Sequence, residues 1–235
     1  LQSSTSEDNS AEVFVLAQPG RCWAVLLVMD SLPDQQSIRM GAAQEAVEHL
    51  GLLKPGAAAT IKDLLCDFHG EHPRSVCTTY RKMGGQLSDD EKRAIGIRAN
   101  AFLSRAALAE ISEKGMLDPI RAHEITLLRA SFVIFRHRNA QSYARMMANH
   151  PDYPIEIQYD VFHPDACTVC SGLDRTPVPA DWGLFAPTGC TCLTAPYGLR
   201  SEVDFNAPLL AATKKVGAKS ANSFLAKVRA FFTPD

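Results

Sequence analysis

Hydrophobic and polar positions change their spacing several times along the chain, and each change marks an element. Two short apolar runs, Val13 to Ala17 and Trp23 to Met29, flank Gln18-Pro19-Gly20-Arg21 and predict a β-hairpin. Gly41 to Leu50 and Ala58 to Phe68 read as short helices separated by Lys54-Pro55-Gly56. After a break at His69 to Pro73, Ser75 to Lys82 reads as one or two further helical turns, closed by Gly84-Gly85. Ser88-Asp89-Asp90-Glu91 is a capping box, since the Ser88 hydroxyl and the Glu91 carboxylate can each satisfy the other's backbone N–H. The helix it opens is expected to reach about Lys114, with Gly115 as its C-cap. Asp118-Pro119 starts a second helix, whose apolar stripe is Ile125, Leu128, Phe132, Phe135, Tyr143 and Met146 and which ends near His150-Pro151. The two are expected to form an antiparallel helical hairpin. From Ile155 to Phe162 the period drops to two, with Ile155, Ile157, Tyr159 and Val161 on one face of a strand. The chain then reads as loop from Tyr197 to about Val216, followed by a basic helix from about Ser220 to Phe232.

The expected fold is α+β, in five stretches: a polar, disordered tail over 1–10, a hairpin with short helices over 11–85, the helical hairpin over 86–150, a cysteine-rich module over 151–204, and a basic tail helix over 205–235. A chain of 235 residues, 46% of them hydrophobic, is long enough to bury a real core. Its net charge of -2 gives no global attraction to nucleic acid, so any such contact has to come from a local patch. No apolar run approaches the roughly 20 residues that span a bilayer, and no membrane partner is expected.

Seven cysteines, an odd number, suit a reducing compartment better than an oxidising one, and a cytoplasmic location is expected. Cys22, Cys66 and Cys77 are scattered among apolar neighbours, while Cys167, Cys170, Cys190 and Cys192 cluster as Cys-x2-Cys followed by Cys-x-Cys. Two close thiolate pairs complete a tetrahedron, the geometry of a structural Zn2+. The energetics agree. Residues 163–200 carry five prolines and few large apolar side chains, too little to offset the ordering entropy of the segment. A tetrathiolate zinc contributes about 10–16 kcal/mol in small peptides. Two disulfides, four unrelated thiols, or His163 in place of one thiolate are the competing readings. A site with four sulfur ligands is closed to substrate and therefore structural.

The run Asp165-Ala-Cys167-Thr-Val-Cys170-Ser-Gly-Leu173-Asp174-Arg175, with Ala186-Pro187-Thr188-Gly189-Cys190-Thr191-Cys192 after it, resembles the C-terminal segment of the phage Mu F-like minor head proteins. That family shows a cysteine pair, a Leu-Asp-Gly three positions on, a proline-containing stretch and a closing Cys-Arg-Cys. The resemblance covers about residues 125–198, including the arginine-bearing helix and the strand. It departs at Arg175, where the family has glycine, at Thr191, where it has arginine, and at Thr188-Gly189, where a histidine is often found. It implies a structural protein of phage head assembly, present in few copies, with protein partners or self-association, located in the virion if phage-derived.

Other constellations compete. Cys66, His69, His72 and Cys77 form Cys-x2-His-x2-His-x4-Cys, the outline of a second metal site, or else a helix end with exposed histidines and buried cysteines. His69-Gly70-Glu71 with Cys167-x2-Cys170 is a partial zinc-deaminase signature, but Ala166 replaces the proline and the extra cysteines fill the position that catalysis needs open. Arg129, Arg136, Arg138 and Arg145 make two stripes on one helix with no acidic residue between Glu124 and Asp152, and are candidate phosphate contacts. The basic tail adds Lys214, Lys215, Lys219, Lys227 and Arg229 among Phe224, Leu225, Val228, Phe231 and Phe232, a pattern for docking on a partner, on an anionic surface or on the chain's own core. A zinc-ribbon nucleic-acid-binding protein using the Arg129 to Arg145 helix and the basic tail is the alternative function, and a zinc enzyme a third. No phosphate loop, dinucleotide fingerprint or Gly-x-Ser-x-Gly is present.

Overall fold

The computed structural model describes residues 32–67 and 71–206. The expected hairpin over Val13 to Met29, the polar tail and the basic tail helix lie outside the described residues. The rest is α+β, a helical body followed by a two-stranded sheet with the cysteine cluster between its strands.

The first described helix, α1, spans Gln35–Leu50 and starts six residues before the sequence pattern suggests. Asp34 sets that start, its carboxylate accepting from the Gln36 and Ser37 amides. Helix α2 spans Ala58–Asp67 and α3 spans Pro73–Lys82, the latter opened by the His72 ring, which accepts from the Arg74 amide. The capping box forms as expected, with Ser88 and Glu91 bonded reciprocally.

The stretch from Ser88 to Lys114 is not one long helix. Helix α4 is only Asp89–Ala94, α5 is Arg105–Glu110, and Gly115 begins a 3-10 turn rather than capping a helix. Gly96 ends α4 with φ 75, and its amide and that of Ile97 return to the carbonyls of Arg93 and Lys92. That pair of bonds is a Schellman stop, and glycine is the residue that enters it without strain. Ser104 then caps α5 by accepting from the Ala107 amide. The expected helical hairpin is therefore replaced by one long helix, α6, spanning Ala122–Asn149, whose main neighbour is α1.

The two helices approach through small residues. Ala42, Ala43 and Ala46 of α1 and Ala130, Ala140 and Ala144 of α6 are buried almost completely. The inward face of α6 runs through Ala122, Thr126, Arg129, Val133, Arg136, Ala140 and Ala144, at spacings of three and four. The stripe of large apolar residues expected to face inward is only partly buried, and Phe135 is 48% exposed. Side-chain size is a misleading guide here, because a close helix crossing selects alanine over leucine or phenylalanine.

One carboxylate ties four helices together. Glu110 at the end of α5 accepts from the Thr60 hydroxyl of α2, the Tyr80 hydroxyl of α3 and the His123 Nε2–H of α6. Burial acts to raise its pKa, but the hydrogen bonds from His123, Thr60 and Tyr80 outweigh it and hold the carboxyl below its usual 4.5. A depressed folded-state pKa gives stability that is complete above about pH 4.5 and lost as pH falls through the folded value. Glu110→Gln is expected to cost about 1–3 kcal/mol at pH 7, as for hydrogen bonds to a charged group. Urea unfolding at pH 7 and pH 3 should show a smaller loss on acidification in the variant than in the wild type. Equal losses would assign the acid sensitivity elsewhere.

Candidate metal centre

Strand β1, Ile155–Val161, runs antiparallel to β2, Tyr197–Val203, in a register pairing Ile155 with Val203 and Val161 with Tyr197. The stretch after Tyr197, expected as loop, is thus the second strand: Gly198 and Arg200 mask its alternation. Everything from Phe162 to Pro196 is an excursion between two paired ends. On its other edge β1 is joined by Arg175 to Val178, through bonds between Tyr159 and both Arg175 and Thr176 and from the Val178 amide to the Ile157 carbonyl. Asp174 adds its carboxylate, accepting from the Val161 amide at 3.0 Å.

This excursion brings the four cysteines together. Cys167 and Cys170 bracket the start of a one-turn helix, α7, at Thr168–Ser171. Pro187-Thr188-Gly189-Cys190 is a turn closed by the Cys190 amide on the Pro187 carbonyl, with Gly189 at φ 83. The Sγ atoms of Cys167, Cys170, Cys190 and Cys192 all lie within 4.8 Å of one another. Sulfurs at the vertices of a zinc tetrahedron with bonds of about 2.3 Å stand about 3.8 Å apart. The arrangement is therefore able to hold a metal ion. Among the described residues it is the only such group, and His163, which is exposed, does not join it.

The electrostatics of the sulfurs are divided. Backbone N–H groups of Cys170 and Thr191 point at the Cys167 sulfur and lower its pKa to about 5. Burial, reinforced by hydrogen bonding to Cys190, pushes Cys170 far above the usual thiol value, and burial raises Cys192 as well. Four thiolates this close cannot all ionise without a cation among them. The donor set, all sulfur and largely buried, suits a thiophilic divalent ion.

Helix α6 holds the module from beneath. The Arg129 guanidinium, fully buried, pairs with Glu45 of α1 through Nε and Nη2, while its Nη1 donates to the carbonyl of Cys192 at 2.6 Å. His49 of α1 donates to the same carbonyl from Nε2 at 3.2 Å. Further along α6, Arg136 is equally buried and donates to the carbonyls of Leu184, Ala195 and Tyr197, with the Tyr197 ring stacked 4.3 Å from its guanidinium. The expectation that these two arginines contact phosphate is corrected: Arg129 is spent on Glu45 and a carbonyl, and Arg136 on carbonyls, inside the protein. Arg138 and Arg145 are exposed. Arg129 and Arg136 share a face with Ala122, Val133, Ala140 and Ala144, a stripe that the larger apolar one outweighs in the sequence.

Among the described residues the second metal outline is not gathered into a cluster. Cys77 is fully buried in the core, and burial pushes its thiol up to about 12. The Cys66 sulfur accepts from the Arg39 guanidinium, His72 caps α3, and His69 lies outside the described residues. No helix among the described residues is long and apolar enough to cross a membrane. No protein-family model, curated protein or solved structure matches this chain.

Arg129→Met should cost about 3 kcal/mol, because it leaves the partly buried Glu45 carboxylate without its cation. Glu45→Gln on that background should recover part of the loss. Denaturant unfolding of both variants checks this, and additive losses would show that the pair is not coupled.

Proposed function

We propose that the four cysteines hold one structural zinc ion and that the chain is a structural assembly protein of the phage minor-head kind. The observation that carries the zinc reading is the convergence of four sulfurs from two short turns into one cluster of tetrahedral size. Cys167 and Cys170 would supply one edge of the tetrahedron, Cys190 and Cys192 the other. A centre closed by four thiolates has no position for water or substrate, so its work is to fix the excursion between β1 and β2.

The family reading rests on the motif and gains support from its main departure. Arg175 stands where the family has glycine, and its backbone is left-handed, with φ 61. That conformation is the one glycine enters freely and an arginine enters only at a cost. Asp174, in the family's aspartate position, bonds the β1 backbone and so places that turn.

The nucleic-acid reading loses two of its four helix arginines, since Arg129 and Arg136 are buried. It would have to rest on Arg138, Arg145 and the basic tail, which lies outside the described residues. Salt-dependent DNA binding that Arg138→Glu and Arg145→Glu weaken would favour it over assembly.

Native mass spectrometry of the full chain should show one zinc per chain, lost in Cys170→Ser, and defined oligomers or co-sedimentation with capsid-like particles. A reduced, metal-free protein whose residues 163–200 resist proteolysis would overturn the zinc reading. Arg175→Gly should stabilise the protein by about 0.5–1 kcal/mol, the relief of left-handed strain less the added freedom of the unfolded chain. A loss of stability in thermal unfolding would count against a glycine-type turn there.

A further inference from the structure

The buried charges around the cysteine cluster do not balance within the protein. Arg129 is neutralised by Glu45. Arg136 is fully buried, and among the described residues no carboxylate lies within ion-pairing distance of it. Three carbonyls and an aromatic face are its partners, and its Nη2 is buried with none. Carbonyl dipoles solvate a guanidinium but carry no net charge, and an unpaired buried cation is among the costlier features a fold can hold. Burial accordingly acts to lower the Arg136 pKa, and the groups that act to restore it are Tyr197, then Glu45, which is already paired with Arg129, and then the Cys170 sulfur.

The carbonyls that Arg136 grips flank Cys190 and Cys192: Leu184 precedes that pair, Ala195 follows it in the same loop, and Tyr197 opens β2. A divalent ion on four thiolates has a net charge of about −2, whereas two disulfides or four neutral thiols have none. We propose that Arg136 is the counter-charge of the metal–thiolate centre: the long helix carries inside the protein a positive charge with no carboxylate paired to it, and the loaded cluster offsets that charge. This rests on the zinc reading above and adds to it a residue, outside the ligand set, that sets the affinity of the site. The coupling is reciprocal, since whatever the arginine adds to metal affinity the metal returns to the stability of the helical body.

The experiment compares the full-length wild type with Arg136→Met and Arg136→Lys. Zn2+ affinity is measured by competition with a chromophoric chelator, and thermal midpoints are measured with and without the ion. Arg136→Met is expected to bind Zn2+ about tenfold or more weakly, as the loss of a nearby opposite charge implies. The same variant should melt lower than the wild type when loaded and at the same temperature or higher when metal-free. That change of sign separates a counter-charge from a hydrogen-bonding strut, whose loss would lower both midpoints alike. Arg136→Lys keeps the charge and loses the fork, so it should retain affinity within about threefold while melting lower in both forms. Unchanged affinity in Arg136→Met, equal falls in both midpoints, or a lysine variant as weak as the methionine one would overturn the proposal and leave the zinc site standing. A methionine variant that does not fold without metal contradicts the expected metal-free midpoint, and the lysine variant still reads the affinity. Failure of the wild type itself to bind Zn2+ would overturn the zinc reading and this inference together.

Discussion

Two guanidinium groups on one helix face inward, and the last third of the described chain is wrapped around them. Arg129 and Arg136 reach from α6 to the carbonyls of Cys192, Leu184, Ala195 and Tyr197. A loop rich in proline and glycine makes few backbone hydrogen bonds of its own, and its carbonyls need donors once they are buried. Arginine supplies five donors in a rigid fork from a long stem, so a helix can serve a loop that never touches its backbone. Without those donors the residues flanking Cys190 and Cys192 would have to choose between water and the core. With them the loop lies on the helix, and the sulfurs face one another.

The same economy appears in the helical body. Glu110 gathers Thr60, Tyr80 and His123 onto one carboxylate, and the Ala-rich crossing of α1 and α6 brings the helices close enough for long polar side chains to pass beyond it. The interior thus combines small apolar residues at the crossing of α1 and α6 with charged hubs whose cationic and imidazole members are fully buried. Such hubs are stabilising only while every member is satisfied, because a half-satisfied buried network costs more than an apolar replacement.

Features encoded by neighbouring residues are legible in the sequence. The capping box at Ser88, the period-two strand from Ile155 and the two close cysteine pairs each leave a pattern within a few positions, and all three form. The stop at Gly96 is equally local, but the helix-forming residues around it outnumber it and hide it. The inward face of α6 escapes for a different reason. Its identity depends on how near α1 comes, which no periodicity within one helix reveals, so the larger apolar stripe outweighs the one made of alanine and arginine. The role of Arg129 and Arg136 lies out of reach on similar grounds: their partners are backbone carbonyls 48 to 63 positions away, and a carbonyl leaves no mark in composition.

The register of the two strands also determines how the module meets mechanical load. Ile155 and Val203 are partners at the open end of the hairpin, and the cysteines lie beyond its closed end, past Val161 and Tyr197. A pull that separates Ile155 from Val203 would part the ladder one rung at a time, like a zip, and tension would reach the sulfurs only after the last rung had opened. Under such a pull the sheet therefore lies ahead of the cluster, and the sulfurs are the last to bear the load.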